Sequence, residues 1–251
     1  MQKMKSLLMR RQVLLGLAVM VILPATVILA FADKPGSDGL KESKPAEESN
    51  RYELATFGGG CFWCTESDFE QLDGVSEAIS GYAGGDEVNP SYEQVASGNT
   101  GHTEAVKVIY DPEIVSYANL VTWLWRHIDP TDANGQFVDR GKQYRSEIFY
   151  QTADEKKIAD ASRASLEKSG RFDKPIVTNV TKLDTFYPAE DYHQNYYKTH
   201  SIKYKYYRYR SGRDQFLEEH WDDPSHRPWL EKNVTQSWQG PEHFARPSDD
   251  E

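Results

Sequence analysis

The sequence predicts an α/β (α+β) fold, a two-layer sandwich with a mixed sheet, a ferredoxin-like core and long loops. Apolar patterns of period two and period 3.6 alternate along the chain, first as β-α-β and then as β-α-β-α-β. An apolar content of 38%, with 12% aromatic residues, is enough to build a core. A triple glycine at residues 58–60 separates the first strand from the first helix and permits a sharp turn there.

Four segments are expected along the 251 residues. Residues 1–32 are basic and then almost wholly apolar and end in Ala-Phe-Ala, which is typical of a signal peptide, with an uncleaved membrane anchor as the alternative. Residues 33–50 have the composition of a flexible linker. Residues 51–212 are the expected folded domain, and residues 213–251 are an acidic C-terminal extension, wrapped on the domain or partly loose. The domain should therefore be exported, to the periplasm or the extracellular space.

Charge and cysteine content exclude several classes of function. A net charge of −10 argues against nucleic acid as a partner. Two cysteines are too few for a disulfide scaffold or a four-thiolate zinc site. The seven histidines lack the spacing of a Cys2His2 finger, so we expect no metal.

The first strand and helix carry the chemistry. Residues 51–57 predict a strand, and the helix that follows the glycines begins at the sequence Cys61-Phe62-Trp63-Cys64. Unpaired amides at a helix N-terminus favour thiolate over thiol at Cys61. Cys64 lies about one turn later, where the spacing permits a disulfide. A redox or nucleophilic role is favoured over a small buried hydrophobe or half of a zinc site.

The remaining elements follow in order. Strands are predicted at residues 75–82, 102–110, 143–150 and 175–183, helices at residues 116–127 and 152–168, a polar loop at residues 131–142 and a polar helix or loop at residues 189–200. Ser116 is the expected N-cap of one helix, and Thr152 with Glu155 a capping box for the other. Alternation places Glu104 on one strand face with two valines. A desolvated carboxyl and an edge-strand carboxylate in water fit this pattern equally well.

Several motifs follow one another in unbroken order between about Arg51 and Tyr197. They comprise Gly60-Cys61-Phe62-Trp63, Gly81-Tyr82-Ala83-Gly84-Gly85, Tyr92 with Val95 and Gly98, Thr100-Gly101-His102 with Glu104, Tyr110-Asp111-Pro112, Asp129-Pro130-Thr131, Asp139-Arg140-Gly141, Gln143-Tyr144-Arg145-Ser146 and Ala189-Glu190-Asp191-Tyr192-His193-Gln194. Together they resemble the peptide methionine sulfoxide reductase A family. Residues 51–212 would then be a methionine sulfoxide reductase domain.

The resemblance implies roles for individual side chains. Cys61 would be the nucleophile, and the S epimer of methionine sulfoxide its substrate. The other implied site residues are Phe62 and Trp63 as the wall around the substrate methyl group, Glu104, Tyr92 and Tyr144 as groups that bind or protonate the sulfoxide oxygen, Asp139 as a substrate-positioning group, and His193 within a family motif. A glutamate on an apolar strand face is desolvated, so its pKa rises and it can supply that proton.

Attack on the sulfoxide leaves Cys61 as a sulfenic acid, which a nearby thiol condenses to a disulfide. No cysteine follows Cys64, whereas many family members keep a resolving cysteine near the C-terminus, so recycling must use Cys64 or an external thiol. We expect no cofactor beyond an external dithiol reductant such as a thioredoxin-like protein. The expected substrates are oxidised proteins or free methionine sulfoxide, acted on by a monomer.

Two other functions fit parts of the sequence. A thioredoxin-like thiol-disulfide oxidoreductase also opens a helix with two cysteines at this spacing, but it leaves Glu104, Tyr92 and Tyr144 without a task. An exported binding module would use the aromatic residues of the extension, Trp221, Trp229 and Trp238, to dock a partner, with the thiols structural.

Overall fold

The computed structural model describes residues 51–221. The predicted signal peptide, the linker and residues 222–251 lie outside the described residues, so the expectations for them stay predictions. Among the helices of residues 51–221, none has the length and apolar character needed to cross a membrane.

The described residues form eight β-strands and seven α-helices. The strands are β1 (Glu53–Gly59), β2 (Val75–Ala83), β3 (Thr103–Tyr110), β4 (Gly135–Gln136), β5 (Asp139–Arg140), β6 (Ser146–Tyr150), β7 (Asn179–Lys182) and β8 (Phe186–Pro188). The helices are α1 (Phe62–Phe69), α2 (Tyr92–Ala96), α3 (Tyr117–Trp125), α4 (Ala153–Lys168), α5 (Tyr196–Thr199), α6 (Ser201–Ser211) and α7 (Arg213–Trp221). Two 3-10 turns occupy Lys142–Tyr144 and Asp191–His193.

The main sheet has six strands in the order β7-β6-β1-β3-β2-β8. Its four middle strands are mutually antiparallel, and with α1 and α3 as the two crossover helices they give the βαββαβ order of a ferredoxin-like core. The parallel pairing of β7 with β6 makes the sheet mixed. The predicted fold class is therefore confirmed.

The hydrophobic core lies between one face of this sheet and the helices that pack on it. Ala55 and Phe57 on β1 pair with Val108 and Val106 on β3, and all four side chains are fully buried. The helices contribute Phe69, Leu120, Leu124, Trp125, Ala159 and Leu166 to the same cluster. The alternation predicted for β3 thus marks its helix-covered face.

Local sequence signals explain where the helices begin. The hydroxyl of Ser116 accepts a hydrogen bond from the amide of Asn119, 3.2 Å away, as expected for an N-cap. Thr152 caps α4 through the amide of Glu155 at 3.1 Å. The carboxylate of Glu155 accepts from the amide of Gln151, one residue before the position that a capping box uses.

Three segments differ from the sequence-based expectation. The polar loop at residues 131–142 contains the two-residue hairpin β4–β5, which is too short to give a periodic signal. The strand predicted from residue 143 begins at Ser146, because a 3-10 turn occupies the preceding residues. The segment assigned to the C-terminal extension begins with α7, whose Leu217 and Trp221 join the core cluster, so the folded part of the chain continues at least to residue 221.

Candidate active site

The two thiols lie at the start of α1, where the chain leaves β1. Gly60 has a φ of +87°, which a side chain would strain, and a Cβ there would lie 2.6 Å from the Cβ of Gln136. Cys61 is the N-cap residue, and its carbonyl oxygen accepts the amides of Cys64 and Thr65 at 3.1 and 3.2 Å. Both cysteines are free and buried. The turn therefore presents two neighbouring thiols at one end of the sheet.

The charge distribution over these thiols differs from the sequence-based expectation. Burial raises the pKa of Cys61 well above its ordinary value, and the adjacent thiol of Cys64 raises it further. The pKa of Cys64 is lowered, first by the hydrogen bond from Cys61 and then, against the cost of burial, by Arg213 and Arg208. Burial therefore opposes the thiolate form that the helix N-terminus was expected to favour at Cys61.

Glu104 lies beside this turn on the helix-covered face of β3. It pairs with Tyr82 of β2, and its side chain is 2% exposed. One carboxyl oxygen accepts the backbone amide of Phe62 at 2.9 Å. Burial raises the pKa of Glu104 to about 8, although the amide of Phe62 opposes the shift. The carboxyl is thus mainly protonated at neutral pH. Because β3 pairs on both sides, the edge-strand alternative is wrong.

Aromatic rings form a wall next to the thiols. The ring of Phe62 lies 4.9 Å from that of His193 and 6.4 Å from that of Tyr92, measured between centroids. The indole nitrogen of Trp63 donates to Nδ1 of His193 at 3.1 Å. Burial lowers the pKa of His193, so the ring is neutral and carries its proton on Nε2. Among the described residues, nothing accepts a hydrogen bond from this nitrogen.

Two phenols and one carboxylate complete the set of predicted residues. Burial, followed by the charge of Glu104, raises the pKa of Tyr92 to about 12 and that of Tyr144 further. Both therefore stay neutral hydrogen-bond donors. Asp139 accepts the hydroxyl of Tyr207 at 2.5 Å, and burial raises its pKa. Contacts join Phe62, Trp63, Tyr92, Glu104 and His193 at the turn that carries the two cysteines, and Asp139 is linked to Trp63 through Tyr207. Tyr144 is linked to the group by the electrostatic effect of Glu104 on its pKa.

The sequence did not reveal three contributors from the C-terminal part of the domain. Tyr196 stacks on Trp63 with ring centroids 3.7 Å apart and planes 6° apart. Tyr207 donates to Asp139, and Arg213 donates to the backbone oxygen of Gly59, 3.0 Å away. The aromatic run at residues 189–200 was a signal for Tyr196, whereas no pattern pointed to the other two.

The arrangement can perform thiol-based redox chemistry on a small polar group. A buried thiol, a second thiol within hydrogen-bonding distance, a protonated carboxyl and two phenols surround one apolar wall. The described residues contain no group of three or more histidine, cysteine, aspartate or glutamate side chains placed to hold a metal ion. Fold and site together define an oxidoreductase that works through cysteine.

Comparison with known proteins defines the family. Residues 53–225 match the model of the family described as peptide methionine sulfoxide reductase. The chain is 52% identical over 169 residues to peptide methionine sulfoxide reductase MsrA of Listeria monocytogenes, a match that covers 67% of this chain and 96% of that one. It is 51% identical over 175 residues to MsrA of Bacillus velezensis, a match that covers 70% of this chain and 99% of that one. The chain belongs to the peptide methionine sulfoxide reductase family and is a methionine sulfoxide reductase of the MsrA type.

A longer relative and two solved structures agree with this family. Peptide methionine sulfoxide reductase MsrA/MsrB of Vibrio cholerae is 47% identical over 219 residues, and the match covers 84% of this chain but only 57% of that protein. Mxr1 from Saccharomyces cerevisiae in reduced form aligns with a TM-score of 0.57 and 30% identity, over 61% of this chain and 87% of that one. Methionine sulfoxide reductase A of Corynebacterium diphtheriae aligns with a TM-score of 0.54 and 32% identity, over 61% of this chain and 76% of that one. Neither the thioredoxin-like nor the binding-module alternative is favoured.

Proposed function

We propose that the protein reduces the S epimer of methionine sulfoxide by attack of Cys61, with resolution by Cys64. One observation carries the assignment of the residues. Glu104, protonated at neutral pH, binds the first amide of the helix that Cys61 caps, so an acid and a nucleophile flank the same space. A sulfoxide oxygen is a poor leaving group until it is protonated, and this pairing meets that need.

The first half-reaction transfers the oxygen from methionine to Cys61. The Cys61 thiol loses its proton and its sulfur attacks the sulfoxide sulfur, while Glu104 protonates the oxygen, to which Tyr92 and Tyr144 donate hydrogen bonds. The proton released by Cys61 replaces the one that Glu104 gives up. Phe62 and Trp63 enclose the methyl group. The products are methionine and the sulfenic acid of Cys61. Uncharged phenols suit this step because they stabilise a developing negative oxygen without adding charge to a buried site.

The second half-reaction restores the thiols. Cys64 attacks the sulfenic sulfur, a sulfur–sulfur bond forms, and the oxygen leaves as water. An external dithiol then reduces the disulfide by exchange and becomes a disulfide itself. We assign a thioredoxin-like protein as this external dithiol. No prosthetic group takes part in either step.

The proposal extends to where the enzyme works. The basic and then apolar character of residues 1–32 supports export, with repair of oxidised proteins or free methionine sulfoxide outside the cytoplasm. Fractionation of the producing cells tests this point, because an exported enzyme is recovered outside the cytoplasmic fraction.

The reaction is tested by a single turnover with each sulfoxide epimer, followed by mass spectrometric mapping of the cysteines. One equivalent of the S epimer, without added thiol, should give one equivalent of methionine and a disulfide between Cys61 and Cys64. The R epimer serves as the matched control and should give neither. A sulfenic acid that persists in the wild-type protein contradicts resolution by Cys64, and equal yields from both epimers contradict the stereochemistry.

A further inference from the structure

Glu66 is a buried carboxyl on α1 that takes no part in the proposed chemistry. The residue is 0% exposed. One carboxyl oxygen accepts the backbone amide of Asn195 at 2.6 Å, and the other accepts the hydroxyl of Ser80 on β2. Burial raises the pKa of Glu66 to about 7, although these two hydrogen bonds oppose the shift. A buried carboxyl is costly unless hydrogen bonds compensate it, so Glu66 ties α1 to both partners.

Asn195 is the residue at which the chain turns into α5. Its φ is +53°, in the left-handed region that residues with a side chain seldom adopt. Its carbonyl oxygen accepts the amides of Lys198 and Thr199 at 2.9 and 3.0 Å. Left-handed backbone persists where surrounding contacts hold it. The bond to Glu66 is such a contact, because it satisfies the amide of the turning residue itself.

The residues on either side of this turn hold the indole of Trp63. Two positions before it, Nδ1 of His193 accepts the indole nitrogen at 3.1 Å. One position after it, Tyr196 stacks on the indole with ring centroids 3.7 Å apart. Trp63 and Glu66 are three residues apart on α1, which places them on one face of the helix. One helix face therefore carries both the indole and the carboxyl that anchors its two partners.

Gln194 anchors the same segment to the sheet rather than to the helix. Its side-chain amide binds the backbone N–H and the backbone oxygen of Ser80, each at 3.0 Å. The hydroxyl of the same serine donates to Glu66. Gln194 thus fixes the segment against β2, whereas Glu66 fixes it against the helix that carries Trp63.

We propose that Glu66 is a positioning residue that sets how closely the aromatic wall fits the methyl group of the substrate. This inference rests on the proposed function, since it concerns the wall of the proposed site. Without the carboxyl, the turn at Asn195 relaxes, and His193 and Tyr196 no longer hold Trp63 in one orientation. The wall binds substrate and transition state alike, so KM should rise while kcat changes little. A looser wall should also reject a larger alkyl group less strictly.

Steady-state kinetics with the S epimer of methionine sulfoxide test this role. Glu66→Met keeps a side chain of similar length but loses both strong acceptors, so KM should rise about tenfold and kcat should change by less than about twofold. Glu66→Gln keeps an oxygen for the amide of Asn195 and should restore most of the wild-type KM. Thermal unfolding of each variant verifies that it is folded. An unchanged KM in folded Glu66→Met overturns the inference.

Glu70→Gln is the matched control. Glu70 lies one turn after Glu66 and also binds α5, through Lys198 at 2.5 Å and the hydroxyl of Tyr197. An ion pair to a half-exposed lysine contributes little, so KM should stay close to that of wild type. A rise in KM as large as that of Glu66→Met overturns the inference, because any loss of a tie to α5 would then suffice.

A shorter acid covers the case in which Glu66→Met does not fold. Glu66→Asp keeps the charge, but its carboxyl is one methylene shorter and cannot reach Asn195 and Ser80 together. KM should rise in this variant as well. A wild-type KM in folded Glu66→Asp overturns the inference.

The preference for a methyl group separates positioning from general damage. Ethionine sulfoxide carries one more methylene, a difference that a fitted apolar pocket discriminates by about 10–200-fold. The ratio of kcat/KM for the methyl over the ethyl S-sulfoxide should fall several-fold in Glu66→Met and in Tyr196→Leu. The two effects should not add in the double variant, because both act on the orientation of Trp63. Loss of folded protein lowers both rates equally, so an unchanged ratio in folded Glu66→Met overturns the inference.

A single turnover distinguishes this inference from the proposed function. At a saturating concentration of methionine S-sulfoxide, Glu66→Met should give one equivalent of methionine, as wild type does. A wild-type KM and a wild-type ratio in Glu66→Met contradict the role of Glu66 alone. Failure of the wild-type protein to form methionine contradicts the proposed function instead.

Discussion

The two sides of the active site are built by different means. On the N-terminal side, residues 58–69 place Cys61 and Cys64 through backbone geometry, since a strand, a glycine turn and a helix follow one another directly. On the C-terminal side, residues 189–221 contribute through side chains that reach the site from short helices. Tyr196 reaches Trp63 in this way, and Tyr207 reaches Asp139.

The difference separates two tasks. Backbone geometry fixes the amide that donates to Glu104 and the two sulfur atoms, which make and break bonds in the proposed mechanism. Remote side chains orient the wall and Asp139, which in the proposed mechanism contact the substrate without reacting. Substitutions of the cysteines or of Glu104 should therefore abolish or greatly slow the chemistry, whereas those on the C-terminal side should change binding and rate moderately.

The largest effect is expected from Cys61→Ser. A hydroxyl in place of the thiol cannot attack the sulfoxide sulfur, so no methionine should form in a single turnover. Cys64→Ser is the matched control and should give one equivalent of methionine. It should then make no further turnovers when a dithiol protein is the reductant. The measurement is the yield of methionine per enzyme. If Cys61→Ser formed methionine and Cys64→Ser did not, the roles of the two cysteines would be reversed.

Glu104→Gln should have the next largest effect. The amide can still donate a hydrogen bond but cannot supply a proton, so the single-turnover rate should fall by about 10²–10⁴-fold. The pKa of Glu104 is raised to about 8, so wild-type enzyme has the acid form below that pH and loses it above. The ionisation near pH 8 should therefore be missing from the pH–rate profile of Glu104→Gln. An unchanged rate and pH–rate profile would remove the acid role.

The N-terminal side could be predicted from sequence because its determinants are local. The glycines, the two cysteines and the apolar period of α1 lie within a few residues of one another, and the strand-turn-helix was found from them. The burial of Glu104 could not be decided, since alternation does not tell whether a strand is central or at an edge. That depends on pairing with β1 and β2, which distant residues determine.

The C-terminal side escaped prediction for a related reason. The hydrogen bond from Tyr207 joins it to a residue 68 positions earlier, and that from Arg213 spans 154 positions. Periodicity carries no information about such contacts. The charge state of Cys61 was predicted from the helix N-terminus alone, and the effect of burial required the coordinates.

Tyr207→Phe tests the C-terminal side at Asp139. The substitution removes one hydrogen bond to a carboxylate, a loss of about 1.5 kcal/mol, or roughly tenfold in kcat/KM. The ring stays in place, so its edge-to-face contact with Trp63 is kept. The measurement is steady-state kinetics with the S epimer and a dithiol reductant. In Asp139→Asn, Tyr207→Phe should have a smaller effect, because the partner charge is already gone. Equal effects in both backgrounds would show that the two groups act independently.

The smallest effect is expected from the ring that stacks on Trp63. Tyr196 holds one face of the indole, while the hydrogen bond to His193 holds its edge. Tyr196→Leu removes the aromatic pair, worth about 0.5–1.5 kcal/mol, so Trp63 should become less well oriented and KM should rise roughly two- to tenfold. The rate constant kcat should change little, because a wall around the methyl group binds substrate and transition state alike. Tyr196→Phe keeps the stacked ring and should retain the wild-type KM. If KM rises as much in Tyr196→Phe as in Tyr196→Leu, the hydroxyl of Tyr196 rather than its stacked ring supports substrate binding. The C-terminal side then contributes a polar contact to substrate binding at this point.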